Sequence, residues 1–250
     1  MRPKIDNEKD FKDRVELICT LYKMAPELKA IGVNVASTDE KTGIQALERL
    51  HPAMPASPGR TRCEEHEYIR HGTTCLTPTM LVATGEIICP TLEQTRGEAD
   101  FVRHIGRTVQ TAPKEGWIFI LDNLNTHLSA SLVEYVAQEL NLDIDLGVKQ
   151  KSGILKSMQS RKEFLEDPSH RIQFIYTPKH CSWMNQIEVW FSKLSRSILK
   201  HGSHTSIDHL EQDILQFIEY HNKTAKPHKW TSTPSEIIRK TLEALNGAVI

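Results

Sequence analysis

The sequence predicts an α/β domain in which helices flank a mixed sheet. Three observations carry that expectation. Gly116-Trp117-Ile118-Phe119-Ile120-Leu121 is a near-continuous apolar run, as in a strand buried on both faces. Shorter β-prone runs stand before and after it, and stretches with apolar residues three and four apart alternate with them. The resulting order is strand, meander, helix, buried strand, helix, strand, helix, which layers helices over a sheet.

Each element has its own signal. Residues 8–28 carry Phe11, Val15, Ile18, Leu21 and Tyr22 near a helical period. Residues 32–36 form a short strand that ends at Ser37-Thr38-Asp39-Glu40. Prolines and glycines mark residues 46–62 as an irregular connection. Strand-like runs at 67–70, 73–83 and 86–89, separated by Gly72 and Thr84-Gly85, read as an antiparallel meander. Residues 96–111 are helical, and Pro113 ends them. After the apolar strand comes Asp122-Asn123, then a helix over 129–140. Residues 143–170, polar and basic, resemble an insertion or a mobile loop. A strand at 171–176 is stopped by Pro178, and Ser182 is placed to cap a long helix to about residue 200. Another helix starts near Ser206, and a last short one follows Pro234. The expected division is a leading helical segment (1–30), a catalytic domain (31–235, with the insertion at about 143–170) and a tail (236–250).

Composition excludes several classes. Hydrophobic residues make up 39% and charged residues 25%, as in an ordinary globular protein. No apolar run reaches the ~18 residues of a membrane span. The charged start lacks an apolar signal core, so secretion is not expected. Five cysteines without a CxxC pair suggest reduced, buried thiols in a cytoplasmic protein. His201, His204 and His209 lie close together but lack a zinc-site pattern. The net charge of −1 does not decide for or against nucleic acid. Basic residues are segregated, however: Lys149, Lys151, Lys156, Arg161 and Lys162 share a stretch without acids, and Lys193, Arg196 and Lys200 recur at helical spacing.

Asp39 and Asp122 stand at the carboxyl ends of strands, where ligands of α/β sheets gather. Glu188 lies on the helix after the third strand, beside the buried stripe. Carboxylates from rigid elements are what two hard divalent ions need, and such a pair supports phosphodiester chemistry. Each acid also has an ordinary reading, as a turn or cap residue for the aspartates and a helix-surface acid for Glu188. Spacing alone leaves the reaction open.

Two blocks narrow it. One is Asp122-Asn123 followed by His127; the other is Pro178, Ser182, Asn185 and Glu188 at three- and four-residue intervals. With Thr38-Asp39-Glu40-Lys41-Thr42-Gly43 upstream and Tyr220-His221-Asn222, Lys226-Pro227 and Trp230 downstream, the chain resembles the bacterial insertion-sequence transposases related to mariner, with their DDE superfamily endonuclease domain. The resemblance runs over about residues 32–234. It implies a ribonuclease H-like fold, a five-stranded mixed sheet flanked by helices. It implies two Mg2+ or Mn2+ ions and cleavage and transfer of DNA strands at element ends. Asp39, Asp122 and Glu188 match the catalytic, metal-holding acids. Asn123, His127 and Asn185 match positions lining the site, through hydrogen bonds or phosphate contact, and Lys179, Lys151 and Lys156 are expected near DNA. The implied partners are double-stranded DNA, as element ends and target, and a second copy of the chain on that DNA.

Two features depart from the pattern. The 65 residues between Asp122 and Glu188 exceed the usual interval, and the excess matches the basic stretch at 143–170. The chain begins just ahead of the catalytic part, so an upstream helix-turn-helix domain or a separate reading frame is expected to recognise the ends. Two alternatives stay open: a non-catalytic remnant that binds DNA or a partner, and a general ribonuclease H-like nuclease.

Overall fold

The computed structural model describes residues 5, 7–51, 54, 56–61 and 67–246. In chain order the elements are α1 (Glu8–Ala30), β1 (Val33–Thr38), β2 (Lys41–Arg49), β3 (Tyr68–Leu81), β4 (Ile87–Glu93), α2 (Glu98–Val109), β5 (Gly116–Leu121), α3 (Ala130–Glu139), α4 (Met158–Leu165), β6 (Ile172–Tyr176), α5 (Ile187–Leu194), α6 (Ile207–Lys223) and α7 (Pro234–Asn246). Side-chain caps mark several starts. Asn7 accepts from the Lys9 and Asp10 N–H groups, Ser129 from Leu132 and Ser206 from His209.

The six strands form one mixed sheet in the order β2-β3-β1-β5-β6, with β4 also on β3. The expected count was five. The difference lies in β1 and β2, which follow one another along β3 in a single antiparallel register: Thr38 faces Thr79, and Lys41 faces Leu76. The chain between them leaves the ladder at Asp39-Glu40, where the Asp39 carboxylate accepts the Glu40 N–H at 2.8 Å. A short acid bonding to its own backbone offers the chain an alternative to the ladder. One long strand is thereby divided at its first acid.

Both faces of the sheet are covered. On one, Trp117, Phe119 and Leu121 of β5 join Phe174 and Tyr176 of β6 under α2, α3 and α4. On the other, Ile118, Ile120 and Ile175 meet Phe11, Val15, Ile18 and Tyr22 of α1, with Ile237 of α7. The alternation along β5 explains why its sequence is apolar at every position: successive side chains point to opposite faces, and both faces are core. A third cluster packs Trp190, Phe191 and Leu194 of α5 and Leu210 and Ile214 of α6 onto Ile44, Leu76 and Ile87. The β3–β4 turn fits closely beneath the chain near residue 226. A Cβ on Gly85 (φ +77°) would stand 2.1 Å from the Lys226 carbonyl oxygen.

The structure departs from the sequence reading in three further places. The connection expected from residue 46 starts later, because β2 continues to Arg49 with Ile44 and Ala46 facing the core between exposed polar residues. Part of that connection (residues 52, 53, 55 and 62–66) lies outside the described residues. Residues 143–170 are not a mobile loop. They include a tight turn at 154–156 and α4, with Leu155, Phe164 and Leu165 in the core. Arg161 fastens the segment by donating from Nε to the Leu128 carbonyl at 2.7 Å and from a terminal nitrogen to that of Leu155 at 3.2 Å. Its few apolar residues sit among many polar ones, which hides the helix. Finally, Ser182 begins a 3-10 turn rather than capping a long helix; α5 starts at Ile187 and passes into a π-helical turn at residues 195–199.

Cys19, Cys75 and Cys181 are buried free thiols and Cys89 is half-buried; Cys63 lies outside the described residues. No helix among the described residues is long and apolar enough to cross a membrane. The placement of Leu165, which is fully buried, gives a direct test of the α4 segment. Leu165→Ala should lower unfolding stability by about 2–5 kcal/mol. A denaturation midpoint equal to wild type would show that this segment is not part of the core.

Candidate active site

β1 and β5 are parallel neighbours, with Val33 opposite Gly116 and Ser37 opposite Ile120. Continued for two residues, that register brings Asp39 and Asp122 out side by side at the strands' carboxyl ends. Both follow fully buried residues (Thr38 and Leu121), so their backbone positions are held by the core. Asp39 is itself buried, at 8% exposure, and Asp122 is half-buried.

Glu188 arrives from the far end of the sequence and is held by a buried clamp. The Asn185 amide donates to the Thr38 carbonyl at 2.9 Å and accepts a short hydrogen bond from the Ser37 hydroxyl. The same Ser37 oxygen accepts the Ile187 N–H at 2.8 Å. From the opposite layer, the Tyr22 hydroxyl donates to the Met184 carbonyl at 2.7 Å and accepts the Gln186 N–H at 3.2 Å. Residues 184–187 are thus fixed to β1 and α1, one helical turn from the glutamate. Asn185 is fully buried, so its part is in this clamp.

The acids sense one another. Burial, then the charge of Asp122, raises the Asp39 pKa to about 7. Glu188 is raised by burial and by Asp122, against the pull of Lys41. Asp122 goes the other way. Burial opposes its charge, but the hydrogen bond and charge of His127 outweigh that and lower its pKa.

His127 is fully buried and bridges two carboxylates. Nδ1 lies 2.8 Å from Asp122 and Nε2 lies 3.0 Å from Glu40, whose side chain is only 4% exposed. Burial opposes the charged ring, yet the two acids prevail and raise its pKa to about 10. Phe101 packs against it with ring centroids 4.3 Å apart.

Asp39, Glu40 and His127 present ligand atoms within 4.8 Å of one another, a grouping that could be taken for a metal site. Both ring nitrogens of His127 already face carboxylates, Nδ1 toward Asp122 and Nε2 toward Glu40, and a ring that donates from both has no lone pair for an ion. It acts instead as a fixed internal cation that neutralises Glu40 and orients Asp122. The carboxylates of Asp39, Asp122 and Glu188 could hold a metal, as an all-oxygen set suited to a hard divalent ion. Asp39 fits the part. It is buried beside another acid, and among the described residues its carboxylate takes one hydrogen bond, from the adjacent N–H, so an added cation would relieve its repulsion.

The remaining expected residues divide. The Asn123 amide donates to the Thr177 carbonyl, tying the end of β5 to that of β6. Lys179 is exposed and lines a shallow cavity of about 390 Å³ with Asp122, Asn123 and Ser182. Lys151 and Lys156 are exposed on the α4 segment, and no contact joins them to the acids. His204 is buried 3.3 Å from Asp213, with His209 beside it at the surface. Sequence reasoning had assigned no part to Glu40, Ser37 or Tyr22. Adjacency to Asp39 was the one visible signal for Glu40; the other two read as ordinary strand and helix residues.

A family model described as "DDE superfamily endonuclease" matches residues 34–211. No curated protein sequence matches the chain. Among solved structures it is similar to a Mos1 transposase paired-end complex with left transposon end, with a TM-score of 0.53 and 12% identity over 98% of this chain and 62% of that one. A Mos1 mariner paired-end complex with Mn gives 0.51 and 14%, covering 100% and 64%. The Mos1 transposase catalytic domain with Raltegravir and Mg gives 0.52 and 10%, covering 98% and 93%. The chain therefore spans about three fifths of the chains in the paired-end complexes and nearly all of the isolated catalytic domain. At these identities the likeness is one of fold, and it makes the mixed sheet ribonuclease H-like. Matched by the family model over more than two thirds of its length, the chain belongs to the DDE superfamily endonuclease family.

Proposed function

We propose that this chain is the catalytic domain of a transposase, which cleaves DNA at the ends of an insertion sequence and joins them to a target. In this reading Asp39, Asp122 and Glu188 hold two Mg2+ or Mn2+ ions, and a second copy of the chain takes part on the DNA. The observation that supports the reading is Asp39 and Asp122 side by side through the β1–β5 register, with Glu188 near enough to feel the charge of Asp122 and its helix start tied to β1 by the Asn185 clamp. The paired-end complexes similar to this chain contain transposon ends, and related structures contain Mn or Mg.

Ions bound there would activate the attacking oxygen and neutralise charge on the leaving one. The chain's own contribution is placement and charge. Asp39 and Asp122 are rigid because their strands are core, so little reorganisation is needed when a phosphodiester arrives. His127 keeps Asp122 ionised and turned by holding one oxygen, with the Leu124 N–H at 2.9 Å on the same atom. The other Asp122 oxygen is left for a ligand. Glu40, neutralised by His127, is withdrawn from competition for metal.

Asp122→Asn should reduce Mg2+-dependent nicking of duplex DNA by roughly 10²–10³-fold or more, the scale seen when one electrostatic stabiliser is removed. Circular dichroism should stay native. Undiminished cleavage by this variant would sink the assignment, and faster cutting of RNA–DNA hybrids than of duplex DNA would replace it with a general nuclease.

The two perturbed groups both make stability fall as pH rises, in successive intervals. With its pKa raised from 3.8 to about 7, folded Asp39 retains a proton that the unfolded chain has released, so its contribution to stability falls as pH rises through that interval. Metal binding must expel that proton, so affinity should rise over the same interval. For His127, raised from 6.5 to about 10, the contribution is full below 6.5 and fades as pH rises through about 10. In thermal melts of metal-free protein, Asp39→Asn should therefore flatten the fall in stability between pH 3.8 and about 7 and leave the fall above it, which belongs to His127. If that variant and wild type give parallel curves, Asp39 is not the titrating group.

A further inference from the structure

We propose that the cleft between the start of α1 and α4 is a phosphate subsite for a nucleic-acid strand running on from the acidic cluster, with Lys162 as its central cation; this rests on the reading of the chain as a DNA-acting enzyme. The cleft has a volume of about 360 Å³, and its lining includes one acid, Asp10, with Arg14, Asn123, Gln159, Lys162 and Lys179. Asn123, Thr177, Pro178 and Lys179 also line the shallow cavity at Asp122, so the two spaces share a wall.

Lys162 is half-buried, with its ammonium 5.4 Å from the centre of the Tyr176 ring. Among the described residues, no carboxylate lies within ion-pair distance of it and no acceptor takes its hydrogen bonds. The acids at the cleft, Asp10 in its wall and Glu166 nearby, are both engaged by Arg14. Glu166 holds Arg14 through two bonds of 2.5 and 3.2 Å, and Asp10 takes the Arg14 Nε at 3.2 Å. Burial, followed by the charge of Arg14, lowers the Lys162 pKa.

A charge removed from water without a partner is costly, and the tyrosine face offsets only part of that cost. A phosphate would supply both an opposite charge and several acceptors. A polyanionic strand also needs such a place, because the acidic cluster that would cut it repels it. Cations placed beside the acids can hold the strand without entering the cluster and neutralising it.

The test uses the full chain in metal-free buffer, with labelled duplex and single-stranded DNA titrated at several salt concentrations. Lys162→Gln should weaken binding about fivefold to tenfold, and the slope of log affinity against log salt should lessen by about 0.7–0.9, the release expected for one phosphate contact. Lys162→Arg should retain wild-type affinity and slope, and both variants should melt as wild type does. Wild-type affinity and slope in Lys162→Gln would overturn the subsite while leaving the transposase reading intact. Stabilisation by inorganic phosphate that needs Lys162, with an unchanged DNA slope, would assign the cleft to a small free anion and likewise overturn it. A wild-type chain that binds no DNA would overturn the transposase reading, and the subsite with it.

Discussion

Two carboxylates held side by side at the ends of neighbouring parallel strands dominate the physics of this molecule. The β1–β5 register puts Asp39 next to Asp122, and neither can move away because the residue before each is sealed in the core. Their repulsion joins burial in holding Asp39 partly protonated near neutrality. The surrounding structure either relieves that repulsion or makes use of it. His127 takes the charge of Asp122 and Glu40 into an internal ion triad, so the negative potential that remains is concentrated on Asp39 and Glu188. A preorganised deficit of positive charge is the condition under which a divalent ion binds most strongly.

The break between β1 and β2 belongs to the same arrangement. A continuous strand would have paired Asp39 into the ladder with β3 and left it one more alternating side chain. Where the chain steps out of register contact, Asp39 and Glu40 separate, one toward Asp122 and the other toward His127. The helical layers then serve the site as well as the core. Tyr22 of α1 and Ser37 of β1 grip residues 184–187 from two sides, which makes the direction of α5, and so of Glu188, a property of the whole sandwich. Loss of α1 would expose Ile118, Ile120 and Ile175 and would also free the segment that carries the third acid.

Much of the fold was legible in the sequence where one physical signal dominated. β5 was visible because both of its faces are buried, and α3 and α6 because their apolar residues fall on one helical face. Legibility failed where signals conflicted. α4 buries Phe164 and Leu165 but is otherwise polar, so its composition reads as loop. β2 lies partly exposed and runs on past the strand break, so its second half looks like the start of a connection. Ser182 has the chemistry of a cap, but the clamp on residues 184–187 decides where helical geometry can begin.

By itself, the amino-acid sequence determined the class of fold, the strand-end positions of Asp39 and Asp122 and the helical position of Glu188, because alternation, periodicity and turn chemistry are local properties. It also carried the family resemblance, through motifs that are short and ordered. Only the tertiary structure decided which side chains meet. That Glu40 pairs with His127, that Asn185 locks onto β1, and that Lys162 packs on the Tyr176 ring at a cleft depend on contacts between residues as much as 148 positions apart. Such contacts arise from the packing of layers and the register of strands. Those are properties of the assembled chain, and no local pattern encodes them.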